Sequence, residues 1–105
     1  MTSFLLEFSM FPTDVGESKS EYVKRIIDMI DKSGLPYKLT PMSTVVEGTS
    51  MEEILDIVKK AYEVLEPDCS RVYSCLKLDI RKGRVGAMEK KIESVEKKLG
   101  RGVKQ

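Results

Sequence analysis

The sequence predicts an α+β sandwich, a four-stranded antiparallel sheet carrying two helices on one face, with one more helix at the C-terminus. Three observations lead there. Apolar residues alternate with period two in separate short segments, two longer segments repeat with helical spacing behind a Ser-x-x-Glu start, and the patterns come in the order strand, helix, strand, strand, helix, strand. Two right-handed crossovers over an antiparallel sheet turn that order into a ferredoxin-like βαββαβ fold, with the first and third strands central and the fourth beside the first.

The first segment, SFLLEFSMF (residues 3–11), sets Phe4, Leu6, Phe8 and Met10 on one side and Ser3, Leu5, Glu7, Ser9 and Phe11 on the other. After PTDVG, Ser18 and Glu21 form a capping box, and Tyr22, Val23, Ile26, Ile27 and Ile30 follow at helical spacing until Gly34 stops the helix. Pro36 biases Leu35 to extended geometry, and YKLT and STVVEG flank Pro41-Met42 as a hairpin. Ser50 and Glu53 open the second helix, which carries Ile54, Leu55, Ile57, Val58, Ala61, Tyr62 and Leu65 and is halted by Pro67. In the last strand, RVYSCLKLDIR, Val72, Ser74, Leu76, Leu78 and Ile80 oppose Tyr73, Cys75, Lys77, Asp79 and Arg81. Residues 86–100 read as the extra helix, with a narrow stripe of Met88, Ile92, Val95 and Leu99.

A chain of 105 residues with no linker or long repeat is expected to form one domain over residues 1–105. No apolar run approaches the roughly 18 residues that cross a bilayer, and MTSFLLEFSMF lacks the basic start of a signal peptide, so a cytoplasmic protein without membrane contact is expected. Cys69 and Cys75 are then expected as reduced thiols. The absence of histidine removes the usual neutral-pH general base and the commonest metal ligand. Residues 81–105 hold nine Lys or Arg against three Glu, a basic tail for which a solvated helix face is the simpler explanation than nucleic acid.

The two helices cover the Phe4, Leu6 and Phe8 face of the sheet, so the other face carries Glu7 and Ser9, then Tyr73, Lys77, Asp79 and Arg81, and, by parity, Ser43, Val45 and Glu47. Antiparallel sheets often leave such a face to water. Apolar Leu5, Val45 and Tyr73 among the charges fit a covered site equally well, the cover being a second subunit or the third helix. Two carboxylates flanked by basic groups, with Tyr nearby, suit a cationic heteroaromatic small molecule. Nothing is arranged as a nucleophile beside its activating base, so a non-enzymatic binder without cofactor or metal is expected. An RNA-binding module and a regulatory amino-acid-binding module share the topology and stay open as alternatives.

YKLTPMSTVVEG, LLEFSMFP and RVYSCLKLDIR resemble the small thiamine-binding protein family, over residues 4–99 and most specifically in the hairpin. The resemblance implies a ferredoxin-like subunit that assembles as a homodimer or homotetramer and binds thiamine or its hydroxymethylpyrimidine portion, unchanged, on the open sheet face at a subunit interface. The ligand-binding residues it implies, joined to those of the open face, are Glu7, Ser9, Tyr37, Thr40, Met42, Thr44, Glu47, Lys77, Asp79 and Arg81, with Pro41 and Gly48 also in the motif. Ser43 departs from the family pattern, which has glycine there.

Overall fold

A computed structural model describes residues 1–16 and 19–105. The strands are β1 (Thr2–Pro12), β2 (Tyr37–Leu39), β3 (Thr44–Gly48) and β4 (Val72–Lys82), and the helices are α1 (Ser20–Ser33), α2 (Met51–Leu65) and α3 (Ala87–Leu99). They form one antiparallel sheet in the order β2-β3-β1-β4, the ferredoxin-like arrangement expected from the pattern order.

The core lies between the sheet and the helix pair α1–α2. Leu6, Phe8 and Met10 of β1 and Val46 of β3 meet Ile26 and Ile30 of α1 and Ile54, Ile57, Ala61 and Leu65 of α2. Each fully buried aliphatic or aromatic side chain contributes on the order of 1.5–3 kcal/mol to folding. Gly34 ends α1 in the left-handed region, at φ 79°, as its position predicts. The α1 N-cap position is Lys19, and the expected cap residue Ser18 lies outside the described residues. At α2 the capping box is present with one displacement: Glu53 N–H donates to Ser50 Oγ at 3.1 Å, while the Glu53 carboxylate accepts from Thr49 N–H at 2.9 Å, one residue before the cap. Gly48 ends β3 where α2 passes closest, and a Cβ there would lie 2.8 Å from Glu53 Oε1 and 3.0 Å from Ile54. Its small size admits the helix.

β4 departs from the expectation that its even-numbered residues would be buried. Leu76 and Ile80 point to the helix side, opposite Phe8 and Phe4, yet are 42% and 46% exposed. The helix pair packs over β1 and β3 and leaves the outermost strand largely uncovered. Cys75 is a free thiol exposed on the other face.

Candidate functional site

The open face is divided along the β1–β3 pair, and its two ends differ. Leu5 lies opposite Glu47 and Glu7 opposite Val45, so both carboxylates do leave the core side, as parity requires. They do not share a niche. The Glu47 side chain is buried at the start of α3, where its carboxylate accepts from Ala87 N–H at 2.8 Å, Met88 N–H at 3.1 Å and Ser3 Oγ–H at 3.4 Å. Glu7 is exposed, accepts from Ser43 Oγ–H at 3.2 Å, and has Lys77 Nζ at 3.9 Å.

Glu47 therefore works as a helix cap supplied by a distant strand. The first amides of a helix have no partner within it and carry its partial positive charge, and a carboxylate answers both needs. Burial pushes the Glu47 carboxyl upward, but hydrogen bonds from the Ala87 and Met88 amides, Ser3 and the Gly86 amide together pull harder and leave it below the ordinary carboxylate value. Asp79 ties the same helix to β4 by accepting from Lys91 and from Arg84, and these two bring its pKa down to about 2. Among the implied ligand contacts, Glu47 and Asp79 thus already hold α3.

Two further residues are corrected by the register. Tyr37 lies opposite Val46 and Thr44 opposite Phe8, so both belong to the helix side of the sheet and not to the open face. The Tyr37 hydroxyl donates to Asp31 of α1 at 3.0 Å, which raises the phenol above its ordinary value. Lys77 and Arg81 do lie on the open face and are exposed, opposite Glu7 and Ser3.

At the other end of the pair β3 begins at Thr44, opposite Phe8, whereas β1 runs on to Pro12. The hairpin turn does not follow it. Thr40 holds the turn closed: its N–H and Oγ1–H donate to Ser43 O at 2.8 and 2.9 Å, and its Oγ1 accepts from Ser43 N–H at 3.1 Å. Among the described residues no non-glycine residue has positive φ, so Ser43 occupies the glycine position of the motif without backbone strain. Between turn, β1 and α1 lies a cavity of about 240 Å³. Its lining brings together Ser9, Thr40, Met42 and Thr44, four of the implied ligand residues, at a place not expected for them, on the helix side of the sheet edge.

The apolar walls of this cavity are Phe8, Phe11, Val23, Ile26 and Leu39, and Lys19 stands at one side. Lys19 Nζ donates to Pro12 O at 2.9 Å and sits 5.4 Å from the Phe11 ring centre. Val23 is expected from its helical spacing only as core packing of α1, and Lys19 is not expected at a site. A surface helix residue one turn before the buried Ile26 was the available signal. Among the described residues no cluster of His, Cys, Asp or Glu is disposed to hold a metal, and no helix is long and apolar enough to cross a membrane.

Comparison with known proteins follows the same geometry. A family model described as thiamine-binding protein matches residues 6–96. A UPF0045 protein of Mycobacterium bovis is 37% identical over 97 residues, covering 92% of this chain and 95% of its own. A hypothetical protein of Methanocaldococcus jannaschii, known from a crystal structure, superposes with a TM-score of 0.79 at 35% identity, covering 89% of this chain and 95% of that one. A Thermotoga maritima crystal structure, described as a candidate thiamine biosynthesis or salvage protein, gives a TM-score of 0.76 at 28% identity over 89% of this chain and 98% of that one. With the match running from within β1 into α3, the chain belongs to the thiamine-binding protein family.

Proposed function

We propose that this protein binds thiamine or its hydroxymethylpyrimidine portion in the cavity beneath the hairpin turn and releases it chemically unchanged. The observation that carries this reading is the gathering of the most specific family segment, Thr40–Thr44, around one half-open space. At about 240 Å³ the space is smaller than the roughly 300–1,000 Å³ of drug-sized sites, and so suits one substituted ring. The pyrimidine enters between Phe8, Val23 and Ile26. The cationic thiazolium stays at the mouth, on the side where Ser43 orients the Glu7 carboxylate. Of the lining hydroxyls Ser43 donates to the exposed Glu7 carboxylate, whose other neighbour is Lys77, and among the described residues no third group orients that pair as a nucleophile and its base, which favours binding over conversion. Calorimetry with thiamine and with hydroxymethylpyrimidine should give saturable heats for both; no heat with either removes the reading.

The working form in this reading is a homo-oligomer in the cytoplasm. β4 is an edge strand of 11 residues, with Leu76 and Ile80 exposed on one face and Tyr73 on the other. A long apolar edge of this kind calls for a partner, and a second copy supplies a matching one. Light scattering on the native chain should give at least a dimer, and Ile80→Lys should shift it toward the monomer. A monomeric mass for the native chain at micromolar concentration would dismiss the assembly.

A second reading, contact with single-stranded RNA, draws on Phe11 and Tyr73, whose rings lie 5.7 Å apart on the open face. Glu7, farther along the same face of β1, repels phosphate. A gel shift that weakens with salt would support this reading, and its absence at low salt would end it.

A further inference from the structure

We infer that the cavity recognises its ligand through the main chain of Met10, and that what it reads is an amidine-type edge, an exocyclic amino donor next to a ring-nitrogen acceptor. The inference rests on the proposed binding of an aminopyrimidine and specifies which of its atoms decide selectivity.

In an antiparallel ladder successive residues turn their N–H and C=O alternately to one neighbour and the other. Two bonds beyond the ends of the β1–β4 pairing show which residues face β4: Thr13 N–H donates to Arg71 O at 2.9 Å, and Gly83 N–H donates to Met1 O at 2.6 Å. Both β1-side members are odd-numbered and continue the register Ser3↔Arg81 through Phe11↔Tyr73. The even residues of β1 therefore face β3, and Phe4, Leu6 and Phe8 find Gly48, Val46 and Thr44 there. Met10 is the next in that series. The β1–β3 pairing ends at Phe8, the turn has closed on itself with Thr40 bonded to Ser43, and among the described residues no turn or loop hydrogen bond reaches the Met10 N–H or C=O.

The position after it is Pro12, which has no N–H and whose C=O accepts from Lys19 Nζ. Met10 is thus a single donor and a single acceptor, side by side, on a residue only 6% exposed that lines the cavity. Buried main-chain groups are almost always paired, and leaving a pair unmet is costly. A ligand that answers both must offer an acceptor and a donor side by side, on two atoms bonded to one carbon. The ring nitrogen and amino group of a 4-aminopyrimidine do so in one plane, and the apolar walls Phe8, Val23 and Ile26 accept the ring's faces. A polypeptide strand would offer the same pair of groups, but one uncovered residue before Pro12 gives it no ladder to extend along, and a space of about 240 Å³ suits a ring.

The test compares thiamine and hydroxymethylpyrimidine with their 4-oxo counterparts, in which the amino donor becomes an acceptor and the neighbouring nitrogen a donor. Calorimetry should show each 4-oxo compound binding at least tenfold more weakly than its amino partner, as expected where buried groups are left unpaired. In amide-resolved NMR of the full chain, the Met10 N–H should shift with the amino compounds and stay in place with the 4-oxo ones. Amino and 4-oxo compounds within tenfold of each other, or an unmoved Met10 amide on saturation with thiamine, would overturn the inference while leaving thiamine binding intact. No binding of thiamine or hydroxymethylpyrimidine at all would overturn both.

Discussion

At the Gly48 end of the β1–β3 pair the sheet is closed by its own chain, α3 seated on the Glu47 carboxylate, whereas at the Thr44 end the pairing stops short and main chain faces a cavity. The two ends are built from one motif. Its acidic member serves the fold, and its turn members border the cavity. A carboxylate on an open sheet face is thus no guide to a ligand until its own partners are known, because two helix amides satisfy it as well as an amine would.

The largest expected effect breaks the turn end alone. Val23→Phe puts a ring into the cavity from α1, and thiamine binding should fall a hundredfold or more in calorimetry while the circular dichroism spectrum is unchanged. Retained binding would move the ligand to some other part of the molecule. Glu47→Ala breaks the opposite end. It leaves the Ala87 and Met88 amides without their acceptor and should cost about 1–3 kcal/mol in denaturant unfolding. Thiamine affinity should stay within about threefold under this reading; a large loss of affinity at unchanged stability would return Glu47 to the ligand.

Acid sharpens the same contrast. Both carboxylates that hold α3 have folded-state pKa values below their ordinary ones, 4.5 for Glu47 and 3.8 for Asp79, the latter brought to about 2. Groups depressed on folding stabilise fully above their ordinary values and lose that contribution as pH falls through the folded ones. Hydrogen exchange of the α3 amides should therefore rise as pH drops from about 4 toward 2, at pH values where the β1 and β3 amides remain protected, after correction for the intrinsic pH dependence of exchange. Equal loss of protection in both would mean that α3 does not open separately. The smallest effect belongs to Ser43→Gly, which removes only the bond to Glu7 at the cavity rim, and should alter thiamine affinity by less than about threefold. A tenfold change would show that the rim contact matters more than the main chain below it.

Much of the fold was legible because it is written in side-chain periodicity. The alternation of residues 3–11, the Ser50 and Glu53 pair and Gly34 each determine one local structure, and the outward direction of Glu47 follows from parity with Val46. What parity cannot convey is coverage. Leu76 and Ile80 have the pattern of buried residues, and only the width of a two-helix layer explains their exposure. The seating of α3 was equally hidden, since Gly83 and Gly86 allow the chain to leave β4 in many directions and the stripe of Met88 and Ile92 names no partner. The Met10 edge was the least visible feature, because it depends on where another strand begins and involves no side chain at all.

Proline at the twelfth position has a consequence for self-association. Because the outward-turned groups of β1 are interrupted there, the uncovered main chain on that side is one residue long, too little for a stray strand to zip onto. Of the two edge strands β2 is three residues long and β4 eleven, so the longer opportunity for amyloid-like growth is the β4 margin, and whatever binds along β4 also shields the protein from its own aggregation.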